Sequence, residues 1–175
     1  MNFEDRSPIV QAAMVARFEE ELVGRPFQSA VMTDEGWAAF PDLMRAAIND
    51  GDEVTLARAL TIPAYWKAQD KRGAHVNMKA SAERLGLTEF NTWYVAGLAD
   101  VLVSEGETHC RVYRAECPDG EEGACSQHEE QVYSLTDVIA GHRLGYWPRT
   151  GKPVRGGFSV PAQANCHHTI GRRKP

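Results

Sequence analysis

A Cys-x2-His pair, Cys125-Ser-Gln-His128, is answered about forty residues later by Asn165-Cys166-His167-His168. Joining the two ends closes a long loop that is poor in apolar residues. Such a loop is costly to order without a tie. Two thiolates and two imidazoles suit tetrahedral zinc, and zinc binding can itself supply folding energy. All four cysteines, and every histidine except His75, lie between His109 and His168. The sequence therefore divides into a front without such ligands and a back that a metal could staple.

The metal-ligand set read from this spacing is Cys125, His128, Cys166 and His168, with zinc in a structural role. His167 can replace His168, and Cys117 can replace His128 or join the set. Cys110 sits in an alternating stretch and reads as a core residue. A disulfide reading stays open because the cysteines are even in number. Four protein ligands leave no open position, so the zinc reads as structural rather than catalytic. Glu129 and Glu130 adjoin His128, but a second histidine at helical spacing is missing, so they make a weak case for a general base. Neither a G-x-S-x-G elbow nor a phosphate-binding glycine loop occurs. Cys125 with His128 as a thiolate–imidazole pair is the lesser reading of those two residues.

The front reads as helical. Ser7-Pro8 starts a helix over 8–23 whose stripe is Val10, Met14, Phe18 and Leu22. Thr33 or Asp34 caps a second segment, with Pro41 as a break or restart. Asp52 caps a short helix through Leu60. A helix over 76–85 ends on Gly86, and Thr88 caps another that closes near Ser104-Glu105-Gly106. Phe90, Trp93, Tyr94, Leu98 and Leu102 on that last helix read as core. The two-helix outline resembles a helix-turn-helix, yet Asn91 stands among Glu89, Asp100 and Glu105, a face that would repel phosphate. Beyond Gly106 the pattern alternates. Strands are expected at 108–115 and 131–134, a short helix at 135–142, and a last strand at 156–160. The fold class is α+β, with a helical region over 1–106 and a small β/loop region over 107–175.

The net charge of -5 conceals an asymmetry. All 24 acidic residues precede Ile139, while Arg143, Arg149, Lys152, Arg155, Arg172, Arg173 and Lys174 follow it. A basic arm on an acidic body suits contact with nucleic acid or with an acidic face of another copy. No membrane span is expected, and the acidic N-terminus does not read as a secretion signal.

The last 65 or so residues resemble a family pattern. Cys125-Ser-Gln-His128 is followed by Gln131-Val-Tyr-Ser-Leu-Thr-Asp137, then Ala162-Gln-Ala-Asn-Cys166-His-His168-Thr-Ile170, then Gly171-Arg-Arg-Lys174. In order and spacing this is similar to the C-terminus of MuF-like minor head proteins of tailed bacteriophages, in the form found in actinobacterial phages. Gln163-Ala164 stands where the family usually has His-Pro, and the portal-binding front of the family is not matched. The resemblance implies a non-enzymatic virion component: a minor capsid, head–tail connector or head-morphogenesis protein. It implies capsid, portal or connector partners, self-assembly into a homo-oligomer, and residence in the virion after assembly in the host cytoplasm. Packaged DNA is a further expected contact of the basic tail. The alternative reading is a zinc-dependent nucleic-acid-binding protein or a small phage nuclease.

Overall fold

A computed structural model describes residues 1–24, 26–116, 128–144, 158–161 and 166–174. The fold is α+β. Among the described residues, five α-helices lie mostly toward the N-terminus, and a three-stranded antiparallel sheet is formed nearer the C-terminus. In chain order the elements are α1 (Pro8–Val23), α2 (Asp34–Asp50), α3 (Glu53–Ala59), a 3-10 turn (Pro63–Tyr65) and α4 (Met78–Ser104). β1 (His109–Arg114), β2 (Val132–Ser134), α5 (Leu135–Ala140) and β3 (His168–Gly171) follow. No helix is long and apolar enough to cross a membrane among the described residues.

Compactness divides the chain elsewhere than at residue 106. One unit comprises Met1–Phe18 with Asn91–Pro175, and the other comprises Glu19–Phe90. The division falls inside α1 and inside α4.

In the unit 19–90, local sequence explains most starts and stops. The Thr33 hydroxyl accepts the Gly36 N–H at 3.1 Å and so caps α2. Asp52 caps α3 by accepting the Thr55 N–H at 2.7 Å. Pro41 does not break α2, contrary to the sequence expectation. Phe40, Met44, Ala47 and Ile48 are buried along one face, and that burial outweighs the one backbone bond proline removes. The expected break at Gly86 is also absent, because 76–85 and 88–104 belong to one continuous helix, α4. Gly86 is a packing notch and not a cap. A Cβ there would lie 2.9 Å from the Ala57 nitrogen and from the Glu53 carbonyl oxygen of α3. Thr88, expected as a cap, is a buried residue inside the helix.

In the unit 1–18 with 91–175, the core is built on the second half of α4. Trp93, Tyr94, Leu98 and Leu102 are buried there with Val10, Met14 and Phe18 of α1. Phe18 meets Trp93 edge-on, with ring centroids 5.3 Å apart. The chain turns away just beyond α4 at Gly106, whose φ of +86° favours glycine. The Glu107 N–H returns to Leu102 O and the Gly106 N–H to Val103 O, which satisfies the last carbonyls.

The sheet has the order β2-β1-β3. Residue 110 faces 133, and 114 faces 168. Side chains alternate along strands, so Cys110, Val112 and Arg114 share one face with Tyr133, His168 and Ile170. Arg111 and Tyr113 point the other way and are covered by the N-terminal segment. The Tyr113 hydroxyl donates to Asn2 O at 2.9 Å and accepts the Glu4 N–H at 2.9 Å. Buried Arg111 is matched by Glu4 at 2.5 Å and Glu130 at 2.6 Å. The last strand expected at 156–160 is not formed at 158–160, and 156–157 lie outside the described residues. The third strand is instead His168–Gly171.

Gly97 shows how tightly α1 and α4 approach, since a Cβ there would sit 2.6 Å from the Met14 nitrogen. On an open helix, Gly→Ala gains about 1 kcal/mol in propensity. Here overlap with backbone wins, and Gly97→Ala is expected to lose about 1–2 kcal/mol net. Urea unfolding checks this, and an unchanged or raised midpoint would refute the close approach.

Candidate metal centre

The Cys110/Val112/Arg114 face of the sheet carries the candidate site. β3 places His168 beside Arg114, and α4 holds that strand in register. The Asn91 side-chain amide, fully buried, donates to the His168 carbonyl at 2.7 Å. Next to it the Ala115 N–H donates to His167 O at 2.9 Å. Asn91, the residue after Thr88 whose amide could read a base edge, is therefore occupied inside the fold.

Three of the four residues read from the sequence as ligands line one small cavity. Its walls are His128, Cys166 and His168 with Val112, Phe158, Ser159 and Val160, and its volume is about 20 Å³. That space holds about one water or one ion and no organic substrate. Cys125, the fourth residue, lies outside the described residues, as does the alternative Cys117. Among the described residues, no group of three His, Cys, Asp or Glu side chains could hold a metal ion.

The closest donor pair is Cys166 Sγ and His168 Nδ1, 3.8 Å apart. Two ligands of a tetrahedral zinc, with bonds of about 2.3 and 2.0 Å, are separated by about 3.5 Å. The pair therefore fits a shared ion without large movement. The other ring nitrogen, His168 Nε2, lies 2.9 Å from Glu129 Oε1. Arg114 holds the same carboxylate at 2.5 Å. Burial pushes the Glu129 carboxyl up, but the hydrogen bonds from His168 and Arg114 and the Arg114 charge outweigh it, so its pKa is lowered.

His128 stands on the far wall. Its Nδ1 is 2.6 Å from the Tyr133 hydroxyl, and its ring packs edge-on against Phe158 with centroids 5.1 Å apart. Phe158 stacks parallel to Tyr133 at 4.0 Å. Gly141 makes room for this, because a methyl there would overlap the Phe158 backbone. His167, the alternative to His168, is not among the cavity's lining residues. Its Nδ1 lies 3.5 Å from Glu116, too far for a well-formed hydrogen bond. Cys110 is fully buried in β1 and stands apart from the cavity lining. The sequence reading missed Glu129 as the partner of His168 and Phe158 as part of the wall. The adjacency of Glu129 to His128 was the available signal for the first.

Three of the tail's described cations, Arg143, Arg172 and Arg173, are engaged within their own unit. Arg143 lies over the Trp93 ring at 4.9 Å. Arg172 pairs with Glu105 and with Asp5, and Arg173 lies 3.9 Å from Glu107. A cleft of about 630 Å³ is lined by Arg111, Arg172, Arg173 and Lys174 together with Glu107 and Glu130. Glu4, Asp5 and Glu105 offset the same cations, so the cleft carries no excess positive charge to hold an anion. Arg149, Lys152 and Arg155 lie outside the described residues.

No protein-family model, curated protein or solved structure matches this chain.

Burial pushes the Cys110 thiol from 9.0 up to about 12. The unfolded chain releases that proton near pH 9 while the native chain keeps it. The contribution of this thiol to stability is therefore fully present below about pH 9 and is lost as pH rises toward 12. Tyr94 and Tyr113, also raised by burial from 10.0, add to the loss above pH 10. Cys110→Ala is expected to flatten the fall between pH 9 and 10, a slope of at most about 1.4 kcal/mol per pH unit. Urea melts across that range check it, and an unchanged slope would refute the burial argument.

Proposed function

We propose that this chain is a non-enzymatic structural component of a tailed-bacteriophage virion: a minor capsid, connector or head-morphogenesis protein. In this reading it acts by protein–protein assembly, and a structural zinc fastens its C-terminal part. The observation that carries it is the approach of Cys166 Sγ to His168 Nδ1 at 3.8 Å, with His128 in the wall of the same cavity. Those residues stand at the metal-ligand-like positions of the phage head-protein pattern, in segments far apart in sequence. The cavity's size supports a staple over a catalytic pocket, since a site with room for one ion cannot also seat a substrate. Cys125 is the fourth ligand of the proposal. The partners are capsid, portal or connector proteins and further copies of this chain. The nucleic-acid alternative is less favoured, because Arg143, Arg172 and Arg173 of the tail already face carboxylates or an aromatic ring.

Elemental analysis of the purified full chain is expected to give about one zinc per chain, lost in Cys166→Ser. The same chain is expected among the proteins of purified particles and as an oligomer by sizing with mass analysis. A metal-free, stably monomeric chain absent from particles would sink the proposal.

A further inference from the structure

Glu129 is the residue whose placement the staple reading does not yet use. A carboxylate is an acceptor only, so the bond between Glu129 Oε1 and His168 Nε2 requires the proton on Nε2. In a neutral imidazole the other nitrogen is then bare. That nitrogen, Nδ1, is the one turned toward Cys166 Sγ at 3.8 Å. Three further contacts fix the arrangement. Arg114, opposite His168 in the β1–β3 ladder, holds the Glu129 carboxylate at 2.5 Å. Asn91 holds the His168 carbonyl at 2.7 Å. Val112 and Val160, both buried, line the same cavity, so the ring cannot turn without disturbing packed side chains. The orientation is thus set from the carboxylate side, the backbone side and the apolar wall together.

We infer that Glu129 is the positioning residue of a Cys166–His168 metal half-site: it holds the Nε2–H of His168 so that the bare Nδ1 and the Cys166 sulfur face one borderline divalent cation of the Zn²⁺ class. The inference rests on the zinc reading above and adds to it a residue with no contact to the ion. A carboxylate behind a ligating imidazole fixes its tautomer and raises its basicity, and losing such a partner typically costs about 10–100-fold in metal affinity. Arg114 belongs to the same relay through its contact with the carboxylate. His128 stands outside it, because its Nδ1 is directed to Tyr133.

The test uses the full chain, stripped with a chelator and titrated with Co²⁺, with the thiolate-to-cobalt absorption band as readout and competition by Zn²⁺ for affinity. Wild type is expected to show the band and Cys166→Ser to lose it. Glu129→Ala is expected to bind about 10–100-fold more weakly. Glu129→Gln keeps an oxygen that can accept from Nε2–H, and is expected to recover to within a few-fold of wild type. A role confined to the ion pair with Arg114 would not give that recovery, because glutamine carries no charge. Independently of any variant, the nitrogen-15 imidazole spectrum of the metal-free wild type is expected to show His168 as the Nε2–H tautomer. An Nδ1–H tautomer there, or equal cobalt affinity in wild type and Glu129→Ala, would overturn the positioning role and leave the zinc reading standing. Absence of the cobalt band in wild type would remove both. Rapid alkylation of Cys166 at neutral pH in a chain that binds no metal would instead identify a thiolate–imidazolium pair, and that too overturns the inference.

Discussion

The hydrogen bond from the buried Asn91 amide to the His168 carbonyl is the contact on which the C-terminal architecture depends. β3 is only four residues long, and a strand that short has little of its own to fix its register. A slip of one residue would turn His168 to the opposite face of the sheet and bring His167 in its place. The Asn91 bond opposes that slip, because the amide and the carbonyl are both removed from water. Leaving either without its partner costs about 1–3 kcal/mol. The core around Trp93, Tyr94 and Leu98 positions α4, α4 positions Asn91, and Asn91 positions the strand that carries the candidate ligand.

Charge does its work in the same unit. In sequence the acids stand in front and an acid-free basic stretch follows, which reads as a body with an arm. In the fold, Arg172 returns to Asp5 and Glu105, and Arg114 on β1 meets Glu129. Arg111 meets Glu4 and Glu130 with its guanidinium almost wholly buried, where an unmatched charge would be far more costly than an unmatched surface lysine. The surface pairs contribute little individually. Their larger effect is on specificity, because the N-terminal segment can cover the Arg111 and Tyr113 face in the one arrangement that brings Glu4 to Arg111. The sequence asymmetry is thus partly an imprint of long-range pairing within the chain.

The features that local chemistry dictates were legible in the sequence. The stripe of α1, the Thr33 and Asp52 caps, the glycine that closes α4 and the aromatic core of α4 all follow from spacing and turn residues. The misreadings share one physical cause. Glycine and proline read as punctuation in a sequence, whereas Gly86 serves close approach to α3 and Pro41 is carried by a buried face. Neither role has a local signature, because both depend on what packs against the residue. β3 escaped notice for a related reason. His-Thr-Ile-Gly is too short and too polar to announce a strand, and it becomes one only through pairing with β1. At the site, His128, Cys166 and His168 were legible as metal-ligand types. The partnership of Glu129 with His168 was not, since it spans 39 positions and is created by the sheet.

The size of the cavity then bears on what those residues can do together. A thiol, an imidazole and a carboxylate in sequence form the parts of a nucleophilic relay as well as of a metal half-site, and the polar distances alone do not separate the two. Space does. A nucleophile needs room for the group it attacks, and substrate pockets run to about 300–1,000 Å³. The void beside Cys166 is about 20 Å³, walled by Val112, Phe158 and Val160. Enlarging it to admit a substrate on the Phe158 side would mean moving a ring that is stacked on Tyr133. An ion needs no such opening. The apolar wall of Val112, Phe158 and Val160 also lowers the local dielectric around the donors, which would strengthen their hold on a cation at this point of the sheet.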